Sequence, residues 1–184
     1  MSRIRKITLF IIVAVGLGAL SLKAWASFLP LGKPAPNFQV KSGSDQKLSL
    51  DMLRGKVIVL FYEFRDSLGQ NDPLKDMLKQ FYRDEPASIR RQVFRLVVID
   101  CSSSIWATAP IWKSKLREHS RIEGFTIYGD WTGKMLRNYQ MKPDKSNFLI
   151  IDKHGIIRYS ATGTVNPGQF QKIKKLLLEL IRAG

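Results

Sequence analysis

The stretch Val57–Phe64, with the sequence VIVLFYEF, decides the fold class. Its apolar and aromatic side chains follow one another almost without interruption, which is typical of a strand covered on both faces of a sheet. A polar loop comes next, and Asp72-Pro73 then supplies a helix N-cap and a first helical residue. Apolar residues recur at helical spacing up to about Tyr82. We therefore expect a buried strand, a loop and an amphipathic helix.

The segments on either side of this unit continue the same alternation. Two short apolar segments around a polar turn precede it, and further strands and helices follow it before a hairpin and a last helix. The predicted strands are 38–40, 48–50, 93–99, 125–128, 148–151 and 156–159, and the predicted helices are 109–119, 131–138 and 167–182. This order predicts one α/β domain with a mixed central sheet flanked by helices.

Three motifs in this order resemble a known superfamily. They are Gly32–Phe38 (GKPAPNF), Leu53–Tyr62 (LRGKVIVLFY) and Phe148–Gly155 (FLIIDKHG). Together they are similar to the corresponding segments of peroxiredoxins and periplasmic thioredoxin-like proteins, over residues 30–184. The segments Val98–Asp100 and Ser146–Phe148 fit the YtfJ-type periplasmic proteins best, a group that lacks the usual cysteines. The resemblance implies a thioredoxin-like fold.

The reactive positions of that superfamily hold other residues in this chain. Aligned with thioredoxins, Asp66 and Gly69 stand where the two cysteines of the CxxC motif belong. Aligned with peroxiredoxins, Ser67 matches the Thr/Ser position and Gln70 stands in place of the peroxidatic cysteine. Ser146 falls where thioredoxins carry a cis-proline. Disulfide exchange and peroxide reduction need a thiolate at this helix start, so the resemblance implies that the usual reaction is lost.

One polar segment and one thiol remain as candidate sites. The loop from Arg65 to Asn71 precedes a predicted helix, so it is either a solvated loop with a cap or a site for an anion or a small polar ligand. Cys101 is the single cysteine of the chain and follows a predicted strand. Packing is the favoured explanation for it, and a reactive thiol is the alternative. His119 and His154 have no ligand spacing, so we predict no metal site and no cofactor.

The first 26 residues have the organisation of a leader. Arg3, Arg5 and Lys6 precede the uncharged stretch 7–22, and the tripeptide Ala24–Ala26 matches a signal peptidase site. We expect either cleavage before Ser27 or an uncleaved inner-membrane anchor in residues 7–22. The predicted domains are therefore 1–26, the leader, and 27–184, the thioredoxin-like domain. Both alternatives place that domain in the periplasm or another extracytoplasmic space.

The charge of the chain limits the classes of partner. Thirty Lys and Arg against fifteen Asp and Glu give a formal net charge of +15. Because the leader contributes four cations (Arg3, Arg5, Lys6 and Lys23) and no acid, a chain that begins at Ser27 carries +11. Such a charge favours a protein partner or an anionic surface such as lipid. The predicted export argues against nucleic acid.

These observations lead to one principal functional hypothesis and two alternatives. The principal hypothesis is an exported, non-catalytic thioredoxin-like module that binds a partner protein or an anionic surface. The first alternative is an atypical redox protein that acts through Cys101 alone. The second is a membrane-anchored assembly subunit whose leader is retained. The missing cysteines favour a protein that is not an enzyme.

Overall fold

The computed structural model describes residues 29–104 and 106–183. The leader 1–26, its cleavage site and the alternative anchor 7–22 all lie outside the described residues. Within the described ranges, no helix combines the length and the hydropathy that a membrane span requires.

Seven strands and five α-helices are found within residues 29–104 and 106–183. The strands are β1 (Gln39–Ser42), β2 (Lys47–Ser49), β3 (Val57–Glu63), β4 (Val93–Asp100), β5 (Tyr128–Asp130), β6 (Asn147–Ile151) and β7 (Ile157–Thr162). The helices are α1 (Asp72–Asp84), α2 (Ala87–Arg90), α3 (Ala109–Glu123), α4 (Lys134–Asn138) and α5 (Phe170–Arg182).

The strands form one mixed sheet in the order β2-β1-β5-β4-β3-β6-β7. The three strands β3, β4 and β5 run parallel, whereas the remaining pairs are antiparallel. The predicted thioredoxin-like α/β fold with a mixed sheet is therefore confirmed. Because the carboxyl ends of β3 and β4 meet at one edge, the loops that follow them are brought together there.

The strand β3 lies inside the sheet between β4 and β6, and every one of its residues is buried. Side chains alternate across a strand, so β3 contributes to two separate cores. Val57, Val59 and Phe61 pack with residues of α1, α3 and α5 on one face. Ile58 and Leu60 pack with the N-terminal strands and α4 on the other face. Because packed elements cover both faces of β3, its side chains can be apolar on both sides.

Several element ends differ from the sequence-based expectation. The strand β5 is Tyr128–Asp130 instead of 125–128, and α4 and α5 begin at Lys134 and Phe170 instead of 131 and 167. Asn71, not Asp72, is the N-cap residue of α1, and Asp72 belongs to the first turn. The helix α3 continues past His119 to Glu123 and ends where Gly124 adopts φ = 72°. This left-handed conformation is accessible to glycine without a steric penalty, and it stops helix propagation.

Candidate functional site

The loop between β3 and α1 lies at the carboxyl edge of the sheet, where the superfamily carries its reactive residues. It begins with a single 3-10 turn, Arg65–Ser67. The Phe64 amide donates to Ser67 Oγ over 2.9 Å, and the Ser67 hydroxyl donates back to the Phe64 carbonyl over 3.2 Å. Gly69 adopts φ = 82°, which reverses the chain toward α1. The Ser67 hydroxyl is therefore committed to the turn.

Two amide side chains attach this loop to the segment before β6. The Ser146 amide donates to Gln70 Oε1 over 2.9 Å, and Asn71 Nδ2 donates to Ser146 Oγ over 2.8 Å. Asn71 also donates to the Gly163 carbonyl over 2.9 Å and accepts from the Val165 amide over 2.8 Å. Both Asn71 and Ser146 are buried. Buried, fully paired polar groups hold a loop in one conformation.

A buried carboxylate completes the network. Glu63, the last residue of β3, has a relative exposure of 1%. Lys75 Nζ lies 2.8 Å from Glu63 Oε1 and 2.9 Å from Oε2, and it also lies 3.2 Å from Asp72 Oδ1. The Ser146 hydroxyl donates to Glu63 Oε1 over 3.4 Å. Burial raises the pKa of Glu63, whereas the Lys75 ammonium acts in the opposite direction.

Sequence reasoning did not select Glu63 or Lys75. The signal that could have found them is an acidic residue at the end of an otherwise apolar strand, VIVLFYEF. A carboxylate in such a position needs a cation within reach, and a lysine on the following helix is a natural partner. We refer to Glu63, Gln70, Asn71, Lys75 and Ser146 as the loop network.

The remaining predicted loop residues do not join this network. Arg65, Asp66 and Gly69 are exposed. Asp72 places a carboxylate in the first turn of α1, where it interacts favourably with the positive end of the helix. A second anion at that helix start would meet this charge, so the geometry favours a solvated, capped loop over a small-anion site.

Cys101 lies directly after β4 and is completely buried. Its amide donates to the Asp130 carbonyl over 3.1 Å. A Cβ built on Gly129 of the neighbouring strand would lie 2.9 Å from Cys101 Sγ, which shows how closely the sulfur approaches β5. Burial, reinforced by the charges of Asp100 and Asp130, raises the pKa of the Cys101 thiol to about 12. Its geometry is that of a packing residue.

A second polar cluster stands at the same sheet edge. The Tyr62 hydroxyl lies 3.2 Å from both Asp100 Oδ1 and Asp130 Oδ2. Asp130 Oδ2 also accepts from the amides of Met135 and Leu136 over 2.9 and 3.2 Å. Burial and the two carboxylates raise the pKa of Tyr62, which keeps it a hydrogen-bond donor. The cluster fixes the start of α4 and has no free nucleophile.

No metal site is evident in the described ranges, where no group of three or more His, Cys, Asp and Glu side chains has a metal-binding arrangement. His119 is exposed near the end of α3, and His154 is exposed in the turn between β6 and β7. The two histidines therefore belong to different elements.

Exposed apolar side chains lie in this loop and in the segment that follows β4, and Leu68 and Ile111 line one cleft. Leu68 in the loop, Trp106 after β4 and Ile111 in α3 are 49%, 89% and 58% exposed. We call these three residues the apolar edge. Their exposure is notable because large apolar side chains grouped on a surface commonly mark an interaction site.

The sequence was compared with known families. A family model described as the AhpC/TSA family matches residues 31–160, more than half of the chain. The chain belongs to the AhpC/TSA family. Comparison with curated proteins finds no match.

Solved structures show the same fold. A protein described as a thiol:disulfide interchange protein DsbE from Chlorobium tepidum is 18% identical with a TM-score of 0.61, covering 83% of this chain and 99% of that one. The thiol peroxidase from Chromobacterium violaceum is 14% identical with a TM-score of 0.58, covering 83% and 88%. BsSco, of the Sco family of cytochrome c oxidase assembly proteins, is 11% identical with a TM-score of 0.56, covering 86% and 99%. At these identities the likeness concerns the thioredoxin-like fold alone.

Proposed function

We propose that this AhpC/TSA family member is an exported, non-catalytic thioredoxin-like module of the YtfJ type that binds a partner protein. The observation that carries the proposal is the loop network. An ion pair between the buried Glu63 and the partly exposed Lys75, together with three polar side chains, occupies the region in which the superfamily places its reactive thiol. These groups are paired with one another and hold the loop in one conformation. The loop therefore has a structural role at the position where the superfamily carries a reactive thiol.

The single cysteine does not restore redox chemistry. A nucleophilic thiol must be accessible and substantially ionised near neutral pH. Cys101 is buried, and its pKa is raised to about 12. Reaction of Cys101 with a disulfide or a peroxide would require local unfolding of the tightly packed contact with β5.

The apolar edge is the surface that supports partner binding. Leu68, Trp106 and Ile111 are exposed at the same end of the sheet, and the exposed cations Arg65 and Lys115 accompany them. Aromatic anchors with a charged surround are typical of protein interfaces. The positive net charge of the chain favours a partner with an acidic surface, because opposite charge accelerates association and selects among partners.

Site-specific photo-crosslinking tests the proposed interface. A photoreactive amino acid is placed at Leu68 or Trp106 in cells of the source organism, and at the exposed control positions Met52 and Ile122. We expect one covalent adduct of defined mass at the edge positions and none at the controls. Equal labelling at all four positions, or no adduct at the edge, would contradict the proposed interface.

Two further measurements test catalysis and export. Insulin reduction and peroxide consumption should not exceed the uncatalysed rate, and turnover that Cys101→Ser abolishes would establish the single-cysteine alternative instead. N-terminal sequencing of the protein from its native host should find Ser27 first. A retained Met1 in the membrane fraction would favour the anchored assembly subunit.

A further inference from the structure

A cleft of about 690 Å³ lies between α1 and α3, over the parallel strands β3 and β4. Its floor is apolar and includes Phe61, Val97, Ile99, Leu116 and Ile127. The volume falls within the range of roughly 300–1,000 Å³ that is common for small-molecule sites. From Arg95 to Ile99 the cleft follows β4 for about 13 Å, taking the usual rise along a strand. We call it the α1–α3 cleft.

One end of this cleft is strongly basic. A second cavity of about 380 Å³ adjoins it and shares Lys79, Tyr82 and Arg95 with it. Arg83, Arg90 and Val93 also line the second cavity, and Glu123, which both cavities share, is its single acid. We call Lys79, Arg83, Arg90 and Arg95 the basic end. None of these four cations forms an ion pair within residues 29–104 and 106–183.

Tyr82 adds an independent observation at the same place. Its hydroxyl is buried and has no hydrogen-bond partner among the described residues. An unpaired buried hydroxyl is energetically unfavourable, so an acceptor supplied from outside the chain would stabilise it. The Arg95 guanidinium is held 5.7 Å from the centre of the Tyr82 ring and 4.7 Å from that of Phe125, which positions a cation beside this hydroxyl.

We propose that the α1–α3 cleft binds a single-chain amphiphile with an anionic head group. The acyl chain lies on the apolar floor, and the carboxylate or phosphate head lies at the basic end, where it accepts hydrogen bonds from Tyr82, Lys79 and Arg95. An apolar floor that leads to unpaired cations fits this class of molecule, because each part of the ligand meets its complement. Leu68 and Ile111 of the apolar edge also line this cleft, so the amphiphile site adjoins the proposed partner surface.

The charge of the cleft disfavours two other occupants. The apolar leader segment 7–22 is preceded by Arg3, Arg5 and Lys6, and these cations would meet the cations of the basic end. A second copy of the chain carries the same excess of positive charge. Like charges at an interface oppose association.

Titration calorimetry of the purified protein tests the proposal with dodecanoate and dodecyl phosphate, both below their micelle-forming concentrations. Saturable binding of at least one of them at a 1:1 ratio is expected, and the tighter of the two identifies the head group. Inorganic phosphate alone and dodecyltrimethylammonium, which has the same tail and a positive head, should bind at least roughly tenfold more weakly. Equal binding of the cationic amphiphile, or no binding of either anion, would overturn the proposal.

Substitutions at the basic end and at Tyr82 test where the anionic head group binds. Lys79→Gln combined with Arg90→Gln changes two exposed cations and should weaken binding about tenfold, because charge-assisted hydrogen bonds to the head are lost. Lys47→Gln combined with Lys172→Gln is the charge-matched control and should bind like the wild type. Tyr82→Phe removes only the unpaired hydroxyl and should weaken binding severalfold, with a melting temperature no lower than that of the wild type. Wild-type affinity in either the Lys79/Arg90 or the Tyr82 variant would place the head group elsewhere and refute the assignment.

Methyl NMR of the purified protein distinguishes the occupants. Dodecanoate should shift the methyl resonances of Ile99 and Ile127 in the cleft, whereas those of Ile58 and Leu60 face the opposite core and should not move. Shifts that grow with protein concentration in the absence of an amphiphile would show that a second copy occupies the cleft instead. That result would overturn the amphiphile proposal, whereas photo-crosslinking from Trp106, which is not among the residues lining the cleft, tests partner binding independently.

Discussion

Replacement of Lys75 by methionine tests whether the Glu63–Lys75 pair is the buried element that holds the loop. Glu63 has a relative exposure of 1% and is bonded to Lys75 through both carboxylate oxygens, whereas the Lys75 side chain is 28% exposed. Lys75→Met leaves the carboxylate with only the 3.4 Å contact from Ser146. Removing one partner of a fully buried pair costs roughly 3–5 kcal/mol, and partial exposure of Lys75 reduces our expectation to about 2–3 kcal/mol.

The loss of stability in Lys75→Met should increase as the pH rises. Burial already raises the pKa of Glu63, and loss of Lys75 removes the group that opposes this shift. A carboxyl group whose pKa is higher in the folded than in the unfolded state stabilises the folded protein at pH values below the unfolded-state pKa. That contribution is lost as the pH rises through the folded-state pKa. Lys75→Met should therefore be close to wild type near pH 4.5 and most destabilised at pH 8.

Comparison variants distinguish a buried carboxylate from loss of side-chain packing. Glu63→Gln removes the buried charge and leaves Lys75 able to reach Asp72 or solvent, so we expect a loss of only about 1 kcal/mol. The double variant Glu63→Gln/Lys75→Met should be more stable than Lys75→Met at pH 8. The assay is guanidinium unfolding followed by circular dichroism at both pH values. A loss in Lys75→Met that is equal at pH 4.5 and pH 8, with no recovery in the double variant, would refute the reasoning.

Three further predictions concern the buried residues. Cys101 should resist iodoacetamide at pH 8 in the native protein and react after denaturation, because its pKa is raised to about 12 and it is buried; rapid native alkylation would contradict this. Tyr139→Phe removes a 2.7 Å hydrogen bond to the Pro36 carbonyl and should cost about 1 kcal/mol in urea unfolding, whereas Tyr82→Phe should cost nothing. Gly129→Ala should lower stability by roughly 1–3 kcal/mol through overpacking against Cys101, and Cys101→Ala should recover part of that loss.

Local pattern was sufficient for most of the fold. The apolar run Val57–Phe64 predicted a strand buried on both faces, and every residue of β3 is buried. Alternation of strands and helices predicted the mixed α/β sheet, and the resemblance of three motifs predicted the thioredoxin-like fold that the comparisons confirm. Helix ends were less predictable. The first residue of α1 and the last of α3 depend on backbone conformations at Asn71 and Gly124, which neighbouring residues only partly determine.

The contacts of the candidate site, unlike most of the fold, could not be predicted from local sequence pattern. Gln70 could be selected from alignment with a thiol position and Asn71 from the polar loop before the helix, but their partners lie far along the chain, at Ser146 and Val165. Hydrogen bonds of that kind have no periodicity, so no local pattern signals them. The α1–α3 cleft is equally hidden, because its floor and its basic end come from separate strands and helices.

The sequence by itself determined that the chain is a basic α/β protein with a single cysteine and without thiols at its family's reactive positions. These properties follow from the amino-acid composition, the spacing of the apolar residues and the order of the motifs in the sequence. Only the tertiary structure decided that Cys101 is inaccessible, that Glu63 and Lys75 are paired beside Ser146, and that an apolar cleft ends in unpaired cations. The physical reason is that burial, pairing and desolvation depend on which distant segments meet, and the sheet topology brings those segments together.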